Sequence, residues 1–113
     1  MDDCPFCKRI AAGEYDDDVR RFDAVAFEPL NPVTPGHLLV VPKTHAVSAL
    51  GHPAIAADTM AAAVLVAQRR HVDQCNFITS AGEAATQTVP HLHIHIVPRR
   101  LGDGLYLPWT GQR

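Results

Sequence analysis

Residues 91–97 read His-Leu-His-Ile-His-Ile-Val, so polar and apolar side chains alternate along this segment until Pro98. Alternation with a period of two is typical of a β-strand, in which every second side chain points to the same face of a sheet. The segment therefore predicts a strand over residues 91–97. Leu92, Ile94 and Ile96 are expected to pack inward, and the three imidazoles are expected to share the opposite face.

The three histidines of this segment, His91, His93 and His95, carry its chemistry. Imidazole changes its charge near neutral pH and can act as a nucleophile, a proton donor or a metal ligand. Thr, Lys or Glu would serve a solvated strand face equally well, so three histidines in strict alternation favour a site. Alternate residues on a strand can also reach one ion, and imidazole binds several transition metals. A metal site is therefore a second interpretation at this point.

The rest of the chain predicts several strands around one long helix. In chain order the expected elements are a short helix or turn over residues 4–13, a solvated acidic connector over 14–18, strands over 23–28 and 37–41, a helix from Pro53 to about His71, and a strand over 76–80. Strands in succession with a single dominant helix predict an α+β domain with an antiparallel sheet. The regular alternation of strands and helices that a doubly wound fold requires is missing.

Composition limits the class of protein. The 113 residues are expected to form one domain, residues 1–113, and 47% hydrophobic with 19% charged residues indicates a globular chain. A net charge of −2 provides no basic surface of the kind that nucleic-acid binders show. The longest apolar stretch, around residues 61–67, is too short to span a bilayer, so neither a nucleic acid nor a membrane is expected as a partner.

The N-terminus has no basic segment followed by an apolar one, so no secretory signal is expected. Three cysteines, an odd number, do not form a disulfide framework. These features together predict a soluble cytoplasmic protein.

Residues 86–97, Thr-Gln-Thr-Val-Pro-His-Leu-His-Ile-His-Ile-Val, resemble the signature of the histidine triad (HIT) superfamily. That signature is Gly-Gln-[Ser/Thr]-Val-x-His-φ-His-φ-His-φ-φ, where φ is apolar, and only its glycine is replaced here, by Thr86. Two further stretches, residues 4–10 and 36–45, resemble the N-terminus of bacterial members and the family's second landmark. The resemblance implies the HIT fold, with about five antiparallel strands, one long helix and a short N-terminal helix. It also implies a homodimer with a continuous sheet.

The resemblance implies a catalytic role for four residues. His93 corresponds to the histidine that attacks the α-phosphorus of a nucleotide derivative, and His95 to the one beside the phosphate. Gln87 and Thr88 match a pair whose amide and hydroxyl are directed at phosphate oxygens and the leaving group, although loop residues of these types often only satisfy backbone groups. A neutral imidazole attacks through one nitrogen while the other keeps its proton, and covalent catalysis divides one displacement into two.

Cys4 and Cys7 have the Cys-x-x-Cys spacing, which alone fits either a zinc half-site or a redox pair. In zinc-containing bacterial members of the HIT family, the other two ligands correspond to His45 and His91. The resemblance therefore implies a closed, structural Cys2His2 zinc site, which leaves His93 and His95 free for catalysis.

Recognition of the nucleotide is the least constrained feature. Phe27, Leu30 and Val41 are candidates for the wall of a base pocket, although each is as well explained as ordinary core. The further nucleotide-binding candidates are Asn31, Ser80, Gln87, Thr88, His93 and His95.

This chain departs from the HIT pattern at three positions. Pro29 stands where many members have an aspartate that holds the ribose, and Ser80 where relatives often have Asn or Gln. Because Thr86 is β-branched, a positive φ is not expected at that position.

The resemblance implies a nucleotide hydrolase or nucleotidyl transferase that acts on purine nucleoside phosphoramidates or similar AMP conjugates. Two alternatives stay open from the sequence. One is a dinucleoside polyphosphate hydrolase that uses the same nucleophile, and the other is a nucleotide-binding module with weak catalysis.

Overall fold

The computed structural model describes residues 3–109, and in that part of the chain it has two helices and five strands. In chain order these are α1 (Pro5–Ala11), β1 (Asp17–Val19), β2 (Ala24–Phe27), β3 (Leu38–Pro42), α2 (Pro53–Arg69), β4 (Cys75–Ile78) and β5 (Ile94–Pro98). Each strand pairs antiparallel with its neighbours, in the order β1-β2-β3-β5-β4. The predicted α+β class is confirmed.

Both helices begin with proline, whose fixed φ and missing N–H suit the first helical position. In α1 the Sγ of Cys4 also accepts the backbone N–H of Cys7, at 3.4 Å. The long helix α2 ends two residues earlier than predicted. His71 adopts a left-handed conformation (φ +57°) immediately after the helix, and this conformation turns the chain away from the helix axis.

Alternate residues of the central strands point to opposite faces of the sheet, as a period of two requires. Helix α2 covers one face, where Ala62, Ala63 and Val66 pack against Ala26, Val40, Ile94 and Ile96. The other face carries a second cluster under α1, formed by Cys4, Phe6, Val25, Phe27, Leu39 and Val41. The predicted inward packing of Leu92, Ile94 and Ile96 agrees with their exposures of 0–2%.

On the α1 face, one row of paired residues runs across four strands. Phe27 in β2 pairs with Leu39 in β3, Leu39 pairs with His95 in β5, and His95 pairs with Ile78 in β4. Neighbouring strands lie about 4.8 Å apart, so Phe27 and His95 are separated by about 10 Å of sheet. This row places an aromatic side chain and a histidine on the same surface.

The largest differences from the predicted elements lie in the acidic connector and in the last strand. The acidic connector expected over residues 14–18 contributes Asp17 and Asp18 to edge strand β1, where both carboxylates have cationic partners, Arg70 at 2.9 Å and Lys43 at 2.8 Å. The last strand begins at Ile94 and not at residue 91. Before it, the N–H of Leu92 donates to the carbonyl of Ala46, outside the sheet ladder.

Within residues 3–109, no helix combines the length and the hydrophobicity needed to cross a membrane.

Candidate active site and metal centre

His93 and His95 lie side by side on the α1 face of the sheet, with ring centroids 5.2 Å apart. His95 is in β5, and His93 immediately precedes that strand. The carbonyl of His93 accepts a hydrogen bond from the Thr79 hydroxyl at 2.7 Å, which fixes the backbone just before the strand. The ring of Phe6 packs edge-on against His93, with centroids 5.2 Å apart. Only 8% of His93 is exposed.

One hydrogen bond sets the tautomer of His93. Its Nδ1 lies 2.8 Å from the carbonyl oxygen of His91. A carbonyl oxygen only accepts hydrogen bonds, so Nδ1 carries the proton. The Nε2 lone pair of the neutral ring is therefore free, as a nucleophilic imidazole requires.

A chain of hydrogen bonds sets the opposite tautomer in His95. The backbone N–H of Val33 donates to Nδ1 of His37 at 3.1 Å, so the proton of that ring is on Nε2. Nε2 of His37 lies 2.9 Å from Nδ1 of His95 and donates to it. His95 therefore carries its proton on Nε2. His37 was not predicted as a site residue, although it lies in the stretch that resembles the family's second landmark.

Burial keeps the pair His37 and His95 neutral. Desolvation is the main cause that lowers the pKa of His95 to about 4, and the neighbouring His93 and His37 lower it further. Burial also lowers the pKa of His37, against the opposing effect of Glu28. Neutral rings are what the hydrogen-bond chain from Val33 requires.

The low pKa of His95 predicts a loss of stability in acid. The unfolded chain takes up a proton at His95 near its ordinary pKa of 6.5, but the folded chain does so only near 4. We expect the free energy of unfolding to fall as pH decreases from about 6.5 to 4. Urea titrations of the wild type and of His95→Gln across this range measure the effect, and the variant is expected to show a shallower pH dependence. The variant His52→Gln, at an exposed histidine, serves as the control. If the pH dependence of His95→Gln were as steep as that of the wild type, the low pKa of His95 would be contradicted.

His93 and His95 line a cavity of about 350 Å³. Thr88 and Ser80, both predicted as nucleotide-binding residues, lie in its wall together with His93 and His95. Of the other lining residues, Val33, Ile78, Val97, Leu105 and Leu107 are aliphatic, and His37, Asn76, Thr86 and Arg99 are polar. The cavity therefore combines several polar groups with apolar surface, which is typical of small-molecule sites.

Arg99 was not predicted as a site residue. Its hydrogen bonds hold the segment around Asp103 and Leu105 at the wall of this cavity. Its guanidinium donates to both carboxylate oxygens of Asp103, at 2.8 and 3.1 Å, to Oδ1 of Asn76 at 2.7 Å and to the carbonyl of Leu105 at 2.8 Å. Arg99 is the main cause that holds the pKa of the Asp103 carboxyl far below its usual range. Leu105 and Tyr106, which follow Asp103, line the same cavity as the two histidines.

The side chain of Gln87 is engaged by the loop backbone. Its amide nitrogen donates to the carbonyls of Val47 (2.6 Å) and Val89 (3.0 Å), and its Oε1 accepts the N–H of Gly82 (2.8 Å). It does not line the 350 Å³ cavity, whereas its neighbour Thr88 does. Gln87 therefore supports the loop that presents Thr88.

Thr86 has a positive φ of +70°, so the expectation that a β-branched residue would avoid this conformation is wrong. It follows the 3-10 turn Glu83–Ala85, and its N–H donates to the carbonyl of Glu83 at 2.9 Å. The next N–H, that of Gln87, donates to the carbonyl of Gly82 at 3.1 Å. The hydrogen bonds of this turn, with those of the Gln87 side chain, hold a conformation that costs an L-residue about 1–2 kcal/mol.

A second cavity, of about 180 Å³, contains the predicted base-pocket residues Phe27 and Leu30. Pro29 also lines it, and Phe6 lies between this cavity and His93. Val41 is fully buried and lies in neither cavity wall, which agrees with its interpretation as core. Asn31 is exposed and lines neither cavity.

Cys4, Cys7, His45 and His91 form a cluster whose ligand atoms all lie within 4.8 Å of one another. Nδ1 of His91 is 3.4 Å from Sγ of Cys4 and 3.5 Å from Sγ of Cys7, and Nδ1 of His45 is 3.3 Å from Sγ of Cys7. Zinc bonds of about 2.3 Å to sulfur and 2.0 Å to nitrogen give a tetrahedron with S–N edges of about 3.5 Å. The four side chains therefore fit a zinc ion.

The hydrogen bond behind His91 supports the same fit. Nε2 of His91 lies 2.8 Å from the carbonyl oxygen of Pro42, so Nε2 carries the proton and the Nδ1 lone pair faces the thiols. A metal-bound histidine commonly donates its other N–H in this way. Burial also lowers the pKa of His91 and favours the neutral ring that a metal ligand must be.

The chain is similar in sequence to known proteins over most of its length. Residues 16–102 match the model of the HIT domain. The chain is 33% identical to the adenylylsulfatase HINT3 of Arabidopsis thaliana, over 94% of this chain and 57% of that protein. It is 30% identical to the adenosine 5'-monophosphoramidase HNT1 of Saccharomyces cerevisiae, over 96% of this chain and 71% of that protein.

A solved structure resembles the fold of this chain. The zinc-bound histidine triad family protein from Mycobacterium smegmatis superimposes with a TM-score of 0.69 at 36% identity, covering 93% of this chain and 81% of that one. The chain spans little more than half the length of the plant relative, so the activity of that whole protein is not transferred by the match alone.

Proposed function

Because this chain belongs to the HIT domain family, we propose that it is a nucleotide hydrolase or nucleotidyl transferase that uses His93 as its nucleophile. The substrates are purine nucleoside phosphoramidates or related AMP conjugates. The named relatives support this class, since one is an adenylylsulfatase and the other an adenosine 5'-monophosphoramidase. The observation that carries the proposal is the pair of complementary tautomers, with a bare Nε2 on His93 and a protonated Nε2 on His95.

In the first step, Nε2 of His93 forms a bond to the α-phosphorus while the bond from phosphorus to the leaving group breaks. The Nε2–H of His95 donates a hydrogen bond to the leaving nitrogen or oxygen, and water supplies the proton with which this group departs. The carbonyl of His91 stabilises the positive charge that develops on His93, because it already accepts the Nδ1 proton at 2.8 Å. In the second step, water attacks the same phosphorus and gives up a proton to the solvent, and His93 leaves as the neutral ring with its Nδ1 proton retained.

Thr88 and Ser80 supply hydroxyl groups to the cavity in which the phosphate is bound. Donors aimed at charge that develops in the transition state are worth about 3–4 kcal/mol each in well-studied enzymes. Gln87 contributes by supporting the loop. Phe27 and Leu30 bind the base on the far side of Phe6.

Zinc is proposed as the resident metal of Cys4, Cys7, His45 and His91. With four protein ligands the ion has no open position, so its part is to tie α1 and the His45 segment to the residues before β5. We also propose a homodimer through β4, which within residues 3–109 has a neighbouring strand on one side only. Light scattering of the purified protein tests the dimer.

The activity test offers the enzyme adenosine 5'-phosphoramidate and, separately, diadenosine polyphosphates, and measures AMP release. Turnover of the phosphoramidate, with a nucleotidyl adduct at His93 trapped by acid-free quench and found by mass spectrometry, is the expected result. Faster turnover of the diadenosine compounds would instead favour the dinucleoside polyphosphate hydrolase. Nucleotide binding without any turnover would leave only a binding module.

A further inference from the structure

The 180 Å³ cavity beside the active site contains one cationic side chain in an otherwise mainly apolar wall. Arg9, in the last turn of α1, places its Cζ 4.1 Å from the centroid of the Phe27 ring. Phe27 is 2% exposed, so the guanidinium lies against a ring that is held rigidly by the core. A guanidinium in this position is attracted by the face of the aromatic ring.

The guanidinium of Arg9 uses one of its three nitrogens in a hydrogen bond to the protein. Its Nε donates to the carbonyl of Glu14 at 3.1 Å. Within residues 3–109, neither terminal nitrogen has a hydrogen-bond acceptor, and no carboxylate forms an ion pair with the side chain. Glu28 lines the same cavity without pairing with Arg9. Arg9 thus contributes to the cavity wall a planar guanidinium whose two terminal nitrogens have no acceptor among residues 3–109.

The position of this cavity relative to His93 indicates which part of a nucleotide it receives. Phe6 borders the cavity and touches the His93 ring. Phe27 lies in the same row of the sheet as His95, and the two residues are separated by two strand spacings, which is about 10 Å. A nucleotide with its phosphorus at His93 reaches this distance with its base. The cavity disfavours a second phosphate, because Arg9 is the single cation in its wall and the carboxylate of Glu28 lines the same wall.

We propose that Arg9 selects the base of the substrate and favours guanine over adenine, an inference that rests on the proposed function. Guanine presents two adjacent acceptors, O6 and N7, which match the two free donors of an arginine. Adenine presents an acceptor beside an amino donor, and that donor would face the guanidinium N–H groups. A flat base also fits the apolar walls that Phe27, Leu30 and Leu39 provide.

The test compares guanosine and adenosine 5'-phosphoramidates as substrates, and GMP and AMP as ligands, for the wild type and two variants. The wild type is expected to show a kcat/KM and an affinity about 10-fold higher for the guanine compounds, within the range of a bidentate arginine–guanine pair. Arg9→Met keeps the length of the side chain and is expected to remove the preference. Arg9→Lys keeps the charge but not the planar pair of donors, so it is expected to lose the preference as well.

Lys8→Met is the matched control, because Lys8 is an exposed cation on the same helix that lines neither cavity. It is expected to keep the wild-type preference. Equal affinity of the wild type for GMP and AMP, with turnover intact, would overturn the role of Arg9 and leave the proposed function standing. A preference for GMP that depends on Arg9, without turnover of either substrate, would support the role of Arg9 and contradict the proposed function.

Discussion

His93→Ala is expected to lower kcat on adenosine 5'-phosphoramidate by a factor on the order of 10⁴ or more. Removing the nucleophile abolishes the covalent route, and the losses in well-studied covalent enzymes reach this size even when the rest of the site is intact. Because the residual site still holds Thr88, Ser80 and His95, binding of AMP is expected to change far less than turnover. Initial rates and AMP titrations of the same preparations measure the two quantities.

A second variant distinguishes a nucleophile from a residue that only supports the fold. In His93→Gly the missing ring leaves a space beside Phe6, and imidazole added to the buffer can enter it and attack the phosphorus in place of His93. We expect imidazole to restore part of the turnover of His93→Gly and to leave the exposed control His52→Ala unaffected. Turnover of His93→Ala within 10-fold of the wild type would show that another group attacks the phosphorus.

The central strands could be predicted from the sequence because their pattern is local. The alternation in β5 matches the two faces of the sheet, and Ile94 and Ile96 lie in the core as expected, whereas β3 is a continuous apolar run that is buried on both faces. Strand β1 could not be predicted this way. Its acidic residues Asp17 and Asp18 pair with Arg70 and Lys43, which come from distant parts of the chain.

The sequence predicts which residue types form the site, but it does not predict their tautomers or their hydrogen bonds. The motif identifies His93 and His95, but their tautomers depend on the carbonyl of His91 and on His37. The sequence pattern does not reveal that the backbone N–H of Val33 donates to His37. It also does not reveal that the side-chain amide of Gln87 donates to backbone carbonyls. The left-handed Thr86 likewise depends on the hydrogen bonds of its turn and contradicts its intrinsic preference.

The four proposed zinc ligands lead to the prediction with the largest expected effect on stability. Burial and the neighbouring Cys4 raise the pKa of the Cys7 thiol, so a bound cation would favour the thiolate form at this site. In Cys4→Ser/Cys7→Ser we expect zinc to fall from one ion per chain to none and the Tm to fall by about 10–20 °C. A loss of about 3–5 kcal/mol is a modest part of what structural zinc supplies in small domains.

Cys75→Ser is the matched control, since Cys75 is a half-buried thiol in β4 that lies outside the metal cluster. It is expected to keep the zinc and most of the Tm, and elemental analysis with thermal scans measures both. Loss of the metal also frees the ring of His91, whose carbonyl holds the Nδ1 proton of His93, so turnover is expected to decline with the zinc content. Wild-type protein prepared without chelators that contains no zinc, yet melts like the double variant, would show that the four side chains stabilise the fold without a metal.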